Sequence, residues 1–265
     1  SRIDLLSHKS QLVKSRRSQI TIFVIVAIVL VLAIAGIFML NKDRFVGVSA
    51  IEDPKLFIQG CVSESAEEAL ELIQENSGYV SVQSPSLRYD DKDLSYLCYT
   101  PEKKELCSNL NPMLVNHIEQ EILSYVSPRI NNCFNALKSK LQDHNYQEEP
   151  EVIEVIIAPD SLIIQIDKEV SFTKNEKTIK IDKFDTVIYS QVYDFARLTN
   201  QIINQEVSCD CLTETCNADV VQLSRSNPGF ELERFVTSRN EEVYTIREAS
   251  SGKELMFAIR NCITI

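Results

Sequence analysis

The sequence predicts an α+β fold: an N-terminal transmembrane-type helix, then a disulfide-bonded ectodomain with mainly antiparallel sheet and several amphipathic helices. Three observations carry that expectation. Ile20 to Leu40 is an uncharged apolar run of 21 positions, broken only by Thr21 and Gly36. All eight cysteines, at 61, 98, 107, 133, 209, 211, 216 and 262, follow it. After residue 150 the hydrophobic period shifts from 3.6 to 2, and the short strands come in hairpins rather than in βαβ units.

As a helix the apolar run spans roughly 30 Å, the hydrocarbon thickness of a bilayer. Arg2, Lys9, Lys14, Arg16 and Arg17 stand before it against Asp4, while Lys42 and Arg44 flank Asp43 after it. The basic excess on the N-terminal side orients that end to the cytoplasm. Ile3, Leu6 and Val13 mark a weak amphipathic helix before the span. Ala33-Ile34-Ala35 fits a signal-peptidase site locally, but the apolar run continues through Leu40, which makes the core too long for a removable secretory signal. Residues 1–45 hold 7 Lys+Arg and 2 Asp+Glu, leaving 20 and 36 for the rest, a net of −16. Such a domain repels nucleic acid, so no nucleic-acid partner is expected. The partners expected for Ile20–Leu40 are the lipid bilayer, other copies of the chain, or both. Cysteines confined to one side of a span indicate an oxidising compartment. The chain is therefore expected at the cell membrane or cell surface, with its C-terminal domain outside.

Arg16-Arg17-Ser18-Gln19-Ile20-Thr21, running straight into the apolar helix, resembles an archaeal class III (type IV prepilin-like) signal. The resemblance covers Arg16 to Leu40. It implies a cut between Ser18 and Gln19, a mature chain beginning at Gln19, and an apolar helix packed into a filament core. Arg16, Arg17, Ser18 and Gln19 are thereby the processing or orientation residues. Many such subunits carry a Glu five residues into the mature chain, where this one has Phe23. The stretch CVSESAEEALELIQENSGYV is similar, more faintly, to membrane-anchored surface proteins of small-genome archaea. The resemblance implies a structural surface protein, a pilin-like subunit assembling into a filament or a membrane-anchored assembly. The alternative is an uncleaved single-pass receptor or accessory module whose ectodomain binds a ligand or partner protein.

Asp53-Pro54 starts a helix, with a capping side chain and Pro at the first helical position. Phe57, Cys61, Ala66, Ala69 and Ile73 form its apolar stripe, five glutamates from 64 to 75 its wet face, and Asn76-Ser77-Gly78 its end. Tyr79–Gln83 and Leu94–Thr100 read as strands around a polar link. Asn111-Pro112 opens a helix that Ser127-Pro128 is expected to interrupt, with a second helix carrying Ile130 to Leu141. Residues 142–150 read as a linker. The expected divisions are thus 1–18 (cytoplasmic leader or tail), 19–45 (transmembrane or filament-core helix), 46–142 (helical membrane-proximal subdomain with two short strands) and 143–265 (distal α+β subdomain). In the last, Val152–Ala158 and Ser161–Asp167 flank a Pro159-Asp160 turn, and Glu169–Thr173 and Thr178–Lys183 flank another. Phe184 to Glu206 reads as one long helix, and Phe230–Thr237, Glu242–Arg247 and Leu255–Ile265 as closing strands.

Cys98 and Cys107 enclose a polar loop that a local disulfide would close, and Cys61 and Cys133 lie on apolar faces of two helices that would pack together. Cys209, Cys211, Cys216 and Cys262 remain for two further bonds or a thiolate metal site. The paired Cys-x-x-Cys knuckles of a zinc site are missing, and the compartment favours disulfides. Asp90-Asp91-Lys92-Asp93 lacks the Gly and terminal Glu of a calcium loop and reads as a solvated turn. His8, His117 and His144 stand alone, with His117 expected on a helix surface. No Gly-x-Ser-x-Gly, P-loop or dinucleotide fingerprint occurs. The sequence thus offers no catalytic, cofactor-binding or metal residues, and no enzyme is expected.

Overall fold

Asp53 caps the first helix, α1 (Pro54–Glu75), its carboxylate accepting from Lys55 N at 2.8 Å and Leu56 N at 3.3 Å. The helix closes where Gly78, at φ +92°, lets its N–H reach back to Ile73 O at 2.8 Å. This computed structural model describes residues 53–208, 211 and 218–262. Arg16–Gln19, the Ile20–Leu40 run, Cys209 and Cys216 lie outside the described residues. The buried stripe of α1 is Ile58, Val62, Ala66, Ala69, Leu70 and Ile73. Phe57 and Cys61 sit at its margin, half-buried, rather than at its centre.

The rest follows in the order β1 (Ser86–Tyr89), β2 (Lys92–Tyr99), β3 (Ser108–Asn109), α2 (Leu114–Lys140), β4 (Asn145–Glu148), β5 (Val152–Ala158), β6 (Ser161–Lys174), β7 (Lys177–Lys183), β8 (Thr186–Tyr189), α3 (Val192–Glu206), α4 (Val220–Ser226), β9 (Phe230–Val236), β10 (Glu242–Glu248) and β11 (Glu254–Arg260). The fold is α+β with two sheets. One has the order β1-β2-β11-β10-β9, with β3 also on β2; every pair is antiparallel except β2 with β11. The other is built on β6, which pairs antiparallel with β4, β5, β7 and β8. Helices α1 and α3 each contact both sheets, and α2 packs against α1, α3 and β5.

Four local expectations are corrected. Residues 79–83 form bends and irregular chain rather than a strand, and the strand lies in the supposed polar link as β1. Asp90 and Asp91 take φ +44° and +62°, which makes a two-residue hairpin turn possible between Tyr89 and Lys92. Second, α2 runs unbroken through Pro128. Ser127 Oγ donates to Leu123 O at 2.6 Å and Arg129 to Tyr125 O at 3.0 Å, giving carbonyls of the crowded turn side-chain partners. Third, the linker at 142–150 contains β4, an edge of the second sheet. Fourth, the predicted long helix from Phe184 begins only at Val192; Thr186–Tyr189, of which Thr186, Val187 and Ile188 are β-branched, form β8 on β6 instead.

The division at 142/143 is crossed by the sheet: β11 pairs with β2. Glu52–Ile265 is one compact unit. Among the described residues, no helix is long and apolar enough to cross a membrane.

Cys61–Cys133 joins α1 to α2 with Cα atoms 6.0 Å apart across a sequence separation of 72, whereas Cys98–Cys107 spans a separation of 9. The loop-entropy relation sets the loss at about 4 kcal/mol for Cys61→Ser/Cys133→Ser and about 2.5 kcal/mol for Cys98→Ser/Cys107→Ser. Chemical denaturation of the two double variants checks the order; a larger loss from the short loop would contradict it.

Candidate functional site

The cysteine framework is the first set of sequence-predicted residues to place. Cys61 bonds Cys133, Cys98 bonds Cys107, and Cys211 bonds Cys262 with Cα atoms 5.3 Å apart. A sulfur held in a disulfide is no thiolate ligand, so a zinc site using Cys209, Cys211, Cys216 and Cys262 together is excluded. Among the described residues, no group of three or more His, Cys, Asp or Glu side chains is placed to hold a metal. His117 is half-buried rather than on the surface, edge-on to Tyr79 at 4.6 Å between ring centroids, and that burial lowers its pKa. His144 lies against Phe172 instead.

A buried acidic cluster sits where α3 ends. Glu206 is fully buried and its Oε1 accepts from Ala218 N at 2.7 Å. Tyr244 Oη contacts both Glu206 Oε1 and Glu242 Oε2, the latter at 2.8 Å. A phenol has one proton to give, so a second proton must sit on a carboxyl for both contacts to be hydrogen bonds. Burial, followed by the Glu206 charge, raises Glu242 to about 7 and makes it the holder. The same surroundings raise Tyr244 and keep it protonated. Asn261 completes the cluster, its Nδ2 donating to Glu206 O at 2.9 Å and its Oδ1 accepting from Cys107 N at 2.8 Å. The cluster ties α3, β10, the chain after β11 and the Cys98–Cys107 loop together, and reads as structural.

The other concentration of chemistry is a groove of about 520 Å³ beside the β9–β10 turn. Strand β1 contributes Arg88, β2 contributes Tyr96 and Tyr99, β11 contributes Arg260, and the turn contributes Arg239 and Glu241. The turn is fixed by its own backbone. Thr237 N donates to Glu241 O at 2.8 Å, and Thr237 Oγ1 accepts from Arg239 N at 3.3 Å and Glu241 N at 3.1 Å. Asn240 takes φ +59°, a conformation that asparagine tolerates.

Glu241 is 5% exposed, and its Oε1 accepts from Tyr96 Oη at 2.9 Å. Burial and the Glu241 carboxylate raise the Tyr96 phenol, so it stays a donor. The second oxygen, Glu241 Oε2, is buried without a protein partner, and so is Arg260 Nε. The Arg260 guanidinium lies 5.6 Å from the Tyr99 ring centroid, and one of its terminal nitrogens is 3.5 Å from Pro101 O. Arg88 is paired with Asp93 at 3.2 Å and Asp91 at 3.5 Å. The exposed Arg239 guanidinium has no ion pair or hydrogen bond to any described residue. The arrangement offers two guanidiniums free of carboxylates among the described residues, a buried acceptor and two aromatic rings 5.0 Å apart. Sequence reasoning missed all six residues, because they come from four separate elements and no local spacing links them. No family model, curated protein or solved structure matches the chain.

The buried cluster has a pH signature. The folded pKa of Glu242 lies above its ordinary value of 4.5, so the folded protein binds the proton more tightly than the unfolded one. That stability is fully present below 4.5 and is lost as pH rises towards 7 and through it. Glu242→Gln is expected to flatten the fall in denaturation midpoint across that window; an unchanged slope would assign it to other groups.

Proposed function

We propose that this chain is a cell-surface structural protein, a pilin-like subunit that assembles through Ile20–Leu40 into a filament or a membrane-anchored surface assembly. The observation that carries the reading is a juxtaposition within one chain. An uncharged run of 21 residues, entered through Arg16-Arg17-Ser18-Gln19, precedes a domain that has three disulfides among its described residues and a net charge of −16 over residues 46–265. Disulfides persist in oxidising compartments, which supports placing the folded domain outside the cell. The apolar run is satisfied by lipid or by its own kind, since a helix keeps its backbone hydrogen bonds internal in either setting. In this reading the role is assembly and presentation rather than catalysis: apolar helices bundle, and the rigid acidic heads face outward.

A second reading is favoured by the groove. Two guanidiniums without carboxylate partners among the described residues, in a domain so rich in carboxylates, support an uncleaved single-pass receptor or accessory module that binds a ligand. Edman sequencing of native protein separates the two. A mature end at Gln19, with filaments visible by electron microscopy and both lost in Ser18→Trp, is the outcome expected of the subunit. An intact leader in the membrane fraction, indifferent to Ser18→Trp, would replace that reading with the anchored module.

A further inference from the structure

We infer that the groove between the β9–β10 turn and the β2/β11 pair is a ligand site for a hydroxylated carboxylate, the chemistry of a uronic-acid sugar unit. Three groups without protein partners among the described residues belong to side chains that line it. Arg239 has a guanidinium with no described partner, and Arg260 has a buried Nε donor with none. Both call for an oxyanion, and a guanidinium matches a carboxylate with two parallel hydrogen bonds. Glu241 Oε2 is a buried acceptor that calls for a donor, because a carboxylate oxygen taken from water without a hydrogen bond is unfavourable. Tyr99, half-buried, supplies ring surface beside these groups, suited to the C–H face of a pyranose, while Tyr96 is buried beneath it and holds Glu241.

Charge selects among ligands that carry both an oxyanion and a donor. Arg239 and Arg260 line the groove without carboxylate partners among the described residues, against the carboxylate of Glu241, while Arg88 is compensated by Asp91 and Asp93. A zwitterion would bring its ammonium among those guanidiniums, so a net anion with neutral hydroxyl donors is favoured over a free amino acid. A simple carboxylate such as acetate would satisfy the arginines and leave Glu241 Oε2 without a donor. A neutral sugar would do the reverse. The volume, about 520 Å³, admits a saccharide unit.

The inference deepens the ligand-binding reading and rests on it. N-terminal sequencing decides how the chain is held at the surface whatever the titration gives, so failure of one test is distinguishable from failure of the other. The test is isothermal titration of the full chain in detergent micelles with D-glucuronate, D-glucose, acetate and L-alanine. Glucuronate is expected to bind at least about tenfold more tightly than the other three, the size of one lost charge-assisted hydrogen bond. Arg239→Ala, which removes an exposed side chain with no described partner, is expected to weaken glucuronate about tenfold while leaving the thermal midpoint unchanged. Glu241→Gln is expected to weaken glucuronate and leave acetate as it was. A tetrameric oligogalacturonate titrated beside D-galacturonate then separates sources: tighter binding than that monomer points to an acidic polysaccharide, equal binding to a free sugar acid. Acetate or alanine binding as tightly as glucuronate, indifference to Arg239→Ala, or no saturable heat would each overturn the inference.

Discussion

The pairing of β11 with β2 brings the end of the described chain back to its first sheet, in parallel, with Ala258 opposite Tyr96 and Ile259 opposite Cys98. A parallel pair needs a long crossover, and closing so long a loop has an entropy cost that only burial can offset. Leu94, Leu97, Phe257 and Ile259 are fully buried on these two strands and supply it. Both strands are also held covalently: Cys98 in β2 bonds Cys107, and Cys262, two residues past β11, bonds Cys211. Asn261, between strand and disulfide, hydrogen-bonds the Cys107 backbone and the end of α3. Without this pairing Tyr96 and Tyr99 would not stand beside Arg260, and the groove would not exist.

The second sheet obeys a comparable constraint with local contacts. One strand of 14 residues, β6, takes partners along both edges, and its inward side chains Leu162, Ile164, Ile166, Val170 and Phe172 are buried. A bulge between Asp167 and Val170 interrupts the register with β7, and there Lys168 is nearly enclosed. Its ammonium pairs with Glu151 at 2.6 Å and Glu148 at 3.1 Å, so the buried charge is compensated twice. The glutamates raise the Lys168 pKa against the opposing effect of its burial, and the lysine in turn lowers Glu148.

How far the sequence could be read depends on the range over which each element is decided. Asp53-Pro54 and Gly78 act within one turn of backbone, and α1 was legible to its ends. The cysteine pairs 61–133 and 98–107 were legible because the apolar stripe and a short loop place them together. Pro128 misled because its local effect is opposed by tertiary packing. A proline within a helix costs about 3 kcal/mol, while each large apolar side chain buried beyond it contributes about 1.5–3 kcal/mol. Ile130, Phe134 and Leu137 all lie on the buried face past Pro128, so burial wins and α2 continues. The run TVIY at 186–189 carries strand propensity, yet its neighbours fit a helical period, and only the free edge of β6 settles the choice. The groove was illegible for a stronger reason. Arg88, Arg239 and Arg260 look like ordinary surface charges until the fold withholds carboxylates from two of them.

That withholding is informative because of the charge around it. Residues 46–265 carry 36 acidic side chains against 20 basic ones. Elsewhere on the surface Arg197 pairs with Asp194, Arg247 with Glu254 and Arg129 with Glu68, while the exposed Arg225 of α4 has no ion pair among the described residues. Each such exposed pair is worth little, at most about 1 kcal/mol, so leaving Arg239 unpaired sacrifices little stability. Beyond about 8 Å at physiological ionic strength the acidic surface is screened, and inside that range an anion meets the groove's guanidiniums and hydroxyl-seeking carboxylate directly. Selectivity at this site is therefore a matter of contact geometry rather than of long-range attraction. A head that repels anions over most of its surface and receives one of matched shape in a single groove discriminates by fit, since the net field gives no anion an advantage in approach.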